Sequence, residues 1–384
     1  MKKRIAPKKK HRVLKIITLV LGTLLLLSGL LFGLVCWDFW GYHVSPENNI
    51  FDRIKSSSCW KTKAQDVHIA YITDENYIYP TQVSVYSAIK NKCPKSTYYF
   101  HIITDNVQEE KVKQAFEPFA REDVHFNIVP QTEVLDIEFS EYLPHLSSAA
   151  LLKLMIPVAL PDVPRVIYLD SDTLVMKDLQ DLYNTELGDN ILAGVRDVAV
   201  SMQRSYFSRI GYKGKNYINA GMLLLDLNKM REQNLSDQLN QYVTKSPFVL
   251  YIEQDAYNVI LQNQIKLLHY EYNCMPGVHF TSRATVSFKD YLRHRFLGEN
   301  TIDSTFIKLY KSEFPLFYRN MFDDVVVFHY FGFAKPWRGP VMSPQVQLFF
   351  GLWNKYANNL AKEFGIKKTE VIFNLPRKNK KQKK

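Results

Sequence analysis

The sequence RVIYLDSD, residues 165–172, ends an apolar run with two carboxylates spaced two apart, Asp170 and Asp172. If VIYL is a strand, both aspartates leave its end toward one crevice, because strand side chains alternate with a period of two. Such oxygen donors suit a hard divalent cation, Mg²⁺ or Mn²⁺, which completes its shell with water and phosphate oxygens. Turn aspartates after a strand are the ordinary alternative. A second cluster follows another apolar run, in VVVFHYFGFAKPW, residues 325–337. There His329 offers a ring nitrogen to a metal, Gly332 permits close backbone approach, and Lys335 is a point charge for a phosphate. Taken alone, His329 reads more simply as a capped, partly buried side chain. Asn219-Ala220-Gly221 lies inside the apolar run YINAGMLLL. A glycine in a strand marks either a bulge or close approach by a ligand, which makes Gly221 a substrate-binding candidate. Glu253-Gln254-Asp255 opens a helical pattern, where acids also serve simply to complement the helix dipole.

The elements that must position these residues alternate in kind. Strand patterns at 68–73, 98–104, 124–129, 165–170, 191–195 and 217–227 are separated by helical patterns at 81–91, 109–119 and 147–160. A helix at 253–262 is followed by strands at 265–272 and 324–330. This rhythm predicts an α/β fold with a mixed, mostly parallel sheet flanked by helices, which binds ligands at the carboxyl ends of its strands. Ser147 or Ser148 is placed to cap the helix at 147–160. Ser343 as N-cap and Pro344 at the first helical position predict an amphipathic helix over 343–364.

The chain has 384 residues and a formal net charge of +11. Its basicity sits in two tails: eight Lys/Arg in residues 1–15 and six in 377–384, which leaves −3 for everything between. The central chain therefore has no electrostatic case for nucleic acid. The four cysteines include no CxxC pair, so a thiolate zinc site is disfavoured; one disulfide among Cys59, Cys93 and Cys274 stays open. Residues 16–37 carry no charge and, as a helix, would extend about 33 Å, enough to span a bilayer core. Basic residues precede the run and Trp37, Trp40 and Tyr42 follow it, whereas a cleaved signal peptide would be shorter and end in small residues. The expectation is a single-pass membrane protein: residues 1–15 a cytosolic tail, 16–37 an anchor, 38–65 a stem, 66–340 the main domain, and 341–384 a C-terminal helix and basic tail. The domain would lie across the membrane, in the Golgi lumen of a eukaryote or the envelope of a bacterium.

In this order, HIAYITDENY, RVIYLDSDTLV, YINAGMLLLDL, EQDAYN and HYFGFAKPW are far more specific than any one of them. Over roughly residues 66–340 the chain resembles glycosyltransferase family 8. The resemblance implies a GT-A fold, a Rossmann-like nucleotide-diphospho-sugar transferase, with a Mn²⁺-bound UDP-sugar donor. It implies Asp170, Asp172 and His329 as metal ligands, and Asp74 and Asn76 at the uridine end of the donor. Gly332 and Lys335 match diphosphate contacts, and Asn219, Glu253 and Gln254 match positions around the transferred sugar. Asp255 is counted with the substrate-binding candidates. Two departures stand out. Glu253 replaces a frequent Asp, and Leu151 sits near the place of an Arg that reaches the donor phosphate, with Lys153 as its candidate replacement.

The resemblance implies transfer of a hexose or pentose to a glycan, glycolipid or glycoprotein acceptor with retention of anomeric configuration. A double displacement would need a carboxylate nucleophile at the anomeric carbon. The matching residue is the amide Gln254, which favours attack on the same face as departure. Two other classes compete. A DxD phosphohydrolase would want Thr or Val where Leu174 stands, and a sugar-binding protein without activity would be expected to lose the metal ligands.

Overall fold

Among the described residues, nine strands with covering helices make up the computed structural model of the chain. It describes residues 18–30, 33, 65–104, 109–130, 149–197, 200, 204–246, 249–275, 325–332, 335–338 and 344–368. Both basic tails, the stem up to residue 64, Cys36, Cys59 and the expected caps Ser147, Ser148 and Ser343 lie outside the described residues.

The strands are β1 (Gln65–Ile72), β2 (Ser96–Thr104), β3 (Val124–Pro130), β4 (Arg165–Leu169), β5 (Thr173–Val175), β6 (Leu192–Arg196), β7 (Ile218–Asp226), β8 (Ile265–Leu268) and β9 (Val327–His329). Seven form one sheet in the order β3-β2-β1-β4-β7-β6-β8. Only β7 runs against its neighbours, β4 and β6; the other pairings are parallel. This is the mixed, mostly parallel α/β arrangement the sequence rhythm predicts. β5 and β9 form a separate antiparallel pair, with Thr173 opposite His329.

The helices are α1 (Ile78–Asn91), α2 (Glu109–Phe116), α3 (Ala149–Leu152), α4 (Ile156–Ala159), α5 (Gln180–Tyr183), α6 (Arg204–Ile210), α7 (Leu227–Glu232), α8 (Leu235–Lys245), α9 (Ile252–Ile260) and α10 (Pro344–Phe364). One face of the sheet packs Ile69, Tyr71, Phe100 and Ile102 with α1 and α10. The other packs Ala70, Ile72, Tyr168 and Leu223 with α7, α8 and α9. Pro118 sits at the start of the 3₁₀ turn Glu117–Phe119 that ends α2, since proline cannot continue an α-helix. The helix expected over 147–160 is divided for a related reason. Pro157 lacks the N–H that would bond the Lys153 carbonyl, so Lys153–Met155 forms a 3₁₀ turn between α3 and α4. The Tyr257 hydroxyl donates to that carbonyl at 2.8 Å instead. The strand expected over 265–272 stops at Leu268 and gives way to a 3₁₀ turn at Tyr270–Asn273.

The membrane-anchor reading is corrected. Among the described residues no helix is long and apolar enough to cross a membrane. The single-pass topology and the localisation built on it therefore have no spanning helix to rest on. Cys93 is disulfide-bonded, with a partner outside the described residues, while Cys274 is a free buried thiol whose pKa burial pushes up.

Helix α10 lies against α1: Trp353 meets Tyr79 edge-on at 5.9 Å, and Glu363 accepts from the Tyr86 hydroxyl at 2.8 Å. Leu360 is fully buried in the same core as β1 and β2. Leu360→Ala should therefore destabilise the domain by about 2–5 kcal/mol, read from the denaturant midpoint. A change within experimental error would mean that α10 does not belong to this core.

Candidate metal and donor-sugar site

The carboxyl end of β4 carries the aspartate pair, and main-chain pairing fixes what faces it. The Asp170 N–H donates to the Gly221 carbonyl at 2.8 Å, continuing the β4–β7 ladder. Between the two aspartates, Ser171 turns inward: its hydroxyl donates to the Ile72 carbonyl at 3.0 Å and accepts from Thr81 at 2.7 Å. The β5–β9 pair then brings in His329, and the Tyr330 N–H bonds the Asp172 carbonyl at 2.8 Å. His329 Nε2 lies 3.6 Å from Asp170 Oδ2 and 3.2 Å from Asp172 Oδ1. One donor atom from each of Asp170, Asp172 and His329 falls within 4.8 Å of the others.

Three observations fit this cluster to a divalent cation. Asp172 Oδ1 is buried without a hydrogen-bond partner, a costly state that a cation would relieve. Burial alone would raise the Asp172 pKa, but the Lys335 ammonium beside Oδ2 holds the carboxyl well below the usual carboxylate range. The donor set, two carboxylates and one imidazole, suits Mn²⁺ and admits Mg²⁺ less well.

Gly221 has a steric reason to be glycine. A Cβ there would lie 2.5 Å from His329 Nδ1 and 2.8 Å from Nε2, and closer still to Cε1. The close approach is thus by the histidine ring, where the sequence suggested a ligand, and the main chain of β7 is the floor of that ring. Gly332 has φ +82°, a backbone conformation that favours glycine. Lys335 donates to the Tyr330 carbonyl at 2.8 Å as well as to Asp172.

A second polar group adjoins the first. Lys153 is buried and donates to Asp170 Oδ1 at 3.0 Å, the Ala220 carbonyl at 3.1 Å and Glu253 Oε1 at 3.1 Å. Burial by itself would lower its pKa, but the Asp170 and Glu253 carboxylates outweigh that and raise it. The Tyr168 hydroxyl also donates to Asp170 Oδ1, at 2.6 Å. Gln254 Oε1 accepts from the Ala220 N–H at 3.0 Å and the Asn219 amide at 3.2 Å, and Gln254 Nε2 donates to Asp197 Oδ2 at 3.0 Å.

The two remaining sets fall elsewhere. Asp74 Oδ1 accepts from the N–H groups of Asn76 and Tyr77 and shapes the turn into α1, and Asn76 is exposed. Asp255 is not brought to the cluster. Its oxygens take the hydroxyls of Tyr206 and Tyr217 and the N–H groups of Leu250 and Tyr251. Asp197, Asn273 and Tyr168 join the site without having been picked from the sequence. Asp197 was findable, because it stands two residues past the end of the apolar run at 191–195, where α/β sheets carry ligand residues. Asn273 sits in no motif.

An open α/β sheet with carboxylates and amides gathered at its strand ends is an architecture that binds ligands there. Residues 68–339 match the model of the family described as Glycosyl transferase family 8, and the chain belongs to that family. It is 23% identical over 297 residues to the lipopolysaccharide 1,3-galactosyltransferase of Salmonella typhimurium, covering 74% of this chain and 77% of that one. It is 24% identical over 221 residues to general stress protein A of Bacillus subtilis, covering 56% and 76% of the two chains. Among solved structures it is similar in fold to the galactosyltransferase LgtC, crystallised with donor and acceptor sugar analogues, at 24% identity and a TM-score of 0.56. That match covers 76% of this chain and 96% of the other. The fold is GT-A-like, and the protein is a glycosyltransferase.

Two outcomes follow from this geometry. Gly221→Ala should push the His329 ring from its floor and weaken Mn²⁺ binding at least about 10-fold in a folded protein, measured by electron paramagnetic resonance titration. Wild-type affinity in that variant would refute the packing argument. Burial raises the Asp255 pKa to about 6, above its value of 3.8 in an unfolded chain. The folded state then holds the extra proton between these values, so this group's contribution to stability is greatest below pH 3.8 and declines as pH rises to about 6. A carbon-13 titration of the Asp255 carboxyl should have its midpoint near 6, and a midpoint near 4 would contradict it.

Proposed function

We propose that the protein is a retaining transferase that moves a hexosyl or pentosyl group from a UDP-sugar to a hydroxyl of a glycan, glycolipid or glycoprotein. The observation that carries this reading is the buried, unpartnered Asp172 Oδ1 facing His329 Nε2 beside Asp170. Asp170, Asp172 and His329 would hold Mn²⁺, with Mg²⁺ as a weaker substitute. When bound, the ion supplies Lewis-acid stabilisation of the charge that develops on the departing diphosphate.

The remaining roles belong to side chains. Lys335, already among acceptor groups at the metal end, is within the HxxGxxK loop and is assigned to a diphosphate oxygen. Gly332, with positive φ, lets that loop turn close to the phosphates. Asp74 and Asn76, in the turn between β1 and α1, are assigned to the uridine end. Lys153 is reassigned: its ammonium is engaged by Asp170, Glu253 and a carbonyl, so it orients those two carboxylates instead of reaching a phosphate. Asn219, Glu253 and Gln254 are assigned to the transferred sugar.

Gln254 has its oxygen directed at the Ala220 N–H and its nitrogen at Asp197, so it presents an amide and no nucleophile. Asp197 accepts from two amides on one oxygen and from the Val200 N–H on the other, which lowers its reactivity. This supports single-stage transfer on one face. The bond from the anomeric carbon to the β-phosphate oxygen breaks, the acceptor oxygen bonds that carbon, and the acceptor's proton passes to the departing phosphate oxygen.

Screening UDP-sugars for Mn²⁺-dependent hydrolysis should identify a donor that the wild-type protein turns over. Asp170→Ala should reduce that turnover by about 10²-fold or more, the scale of losing a transition-state charge contact. Near wild-type turnover by Asp170→Ala with Mn²⁺ present would sink the metal assignment.

A further inference from the structure

The polarity of the main chain in β7 propagates through side-chain amides to the metal-facing histidine. The Ala220 and Gly221 N–H groups can only donate. The first fixes Gln254 Oε1 at 3.0 Å and the second fixes Asn219 Oδ1 at 2.9 Å. With its oxygen so directed, Asn219 turns its nitrogen to two acceptors, Asp197 Oδ2 and Gln254 Oε1, each at 3.2 Å. The same Asn219 oxygen lies 2.9 Å from the side-chain amide of Asn273 and therefore requires the NH₂ of that amide to face it. Asn273 is fully buried, so it cannot turn to water. Its oxygen is left facing His329 Nδ1 at 3.0 Å. Two acceptors cannot satisfy each other, so Nδ1 must carry a proton; by the same rule Nε2, 3.2 Å from Asp172 Oδ1, is a bare lone pair only where a cation stands between them.

We propose that Asn273 is a positioning residue which commits His329 to the Nδ1–H tautomer and so aims the Nε2 lone pair at the Asp170/Asp172 crevice. Metal-binding histidines depend on such an outer partner for tautomer and ring orientation. Here that partner also bonds Asn219, so one buried amide links the metal end of the site to the sugar end. The segment that carries it is held in place by β9: the Cys274 N–H bonds the Val327 carbonyl and the His329 N–H bonds the Cys274 carbonyl, both at 2.8 Å.

The inference rests on reading Asp170, Asp172 and His329 as a cation site, and its test separates the two. Nitrogen-15 NMR of histidine-labelled, metal-free wild-type protein at pH 8, with His329 assigned through His329→Gln, reads the tautomer directly. The expected result is a proton on Nδ1, whatever Nε2 carries in the absence of a cation; an unprotonated Nδ1 overturns the proposal with no variant needed. Asn273→Leu should give a mixture of tautomers and bind Mn²⁺ about 10–100-fold more weakly than wild type. Asn273→Asp, which still accepts from Nδ1–H but loses the bond to Asn219, should keep the Nδ1–H tautomer. A residue of purely structural importance would lower the melting temperature of Asn273→Leu while leaving the tautomer and the Mn²⁺ affinity of the folded fraction unchanged, and that outcome refutes the assignment. Wild-type protein that shows the Nδ1–H tautomer but binds no Mn²⁺ would uphold the tautomer claim and remove the cation-site reading.

Discussion

Antiparallel pairing of β5 with β9 puts His329 directly across from Thr173, one residue beyond Asp172. The two residues are more than 150 positions apart in the chain, and three residue pairs of this small ladder close that loop. Everything about the cation site depends on the closure. It sets the distances from Nε2 to the two carboxylates, brings the imidazole over Gly221, and carries Lys335 to Asp172. The ladder is short, and its environment compensates. Leu174, Val175, Val327 and Phe328 are fully buried in the larger core, so slipping the register by one residue would turn apolar side chains out of that core.

The charges gathered there are nearly balanced before any ligand arrives. Two buried ammoniums, Lys153 and Lys335, stand against the carboxylates of Asp170, Asp172 and Glu253. Uncompensated carboxylates this close would repel strongly in a poorly hydrated crevice, and each lysine bridges its neighbours in a way that prevents this. Lys153 does so because the 3₁₀ turn forced by Pro157 ends α3 beneath the site. The formal excess of one negative charge, together with the unpartnered Asp172 oxygen, is what a divalent cation would neutralise.

Much of this arrangement was legible in the chain because two periods announce it. The apolar runs at 165–169, 218–225 and 325–328 read as strands, of which the last forms one only over Val327–His329, and the chemical residues stand within them or at their ends. The segments that escaped reading are those whose conformation is set from outside. Thr173–Val175 is too short to announce a strand and is one because β9 pairs with it. Asn273 lies where an expected strand turns aside at Tyr270 to run beside β9, a tertiary event without local signature. The anchor failed for the opposite reason. Composition alone placed a spanning helix over 16–37, whereas among the described residues no helix is long and apolar enough to cross a membrane.

The triplet Glu253-Gln254-Asp255 shows what helix geometry contributes to specificity. Successive residues on an α-helix are rotated by about 100°, so three in a row cover about 200° and cannot all face one site. Glu253 turns to Lys153, Gln254 to Asn219 and Ala220, and Asp255 to the opposite side, where Tyr206 and Tyr217 bind it. That third contact fastens the start of α9 to α6 and to Tyr217 just before β7, which holds the other two side chains in register with Lys153, Asn219 and Ala220. Leu151 is buried among apolar residues on the sheet face covered by α7, α8 and α9, and Lys153 spends its ammonium on Asp170 and Glu253. Under the proposed function, charge neutralisation at a bound diphosphate would fall to Lys335 and to the ion that Asp170, Asp172 and His329 would hold, so the tautomer of that histidine bears directly on donor binding.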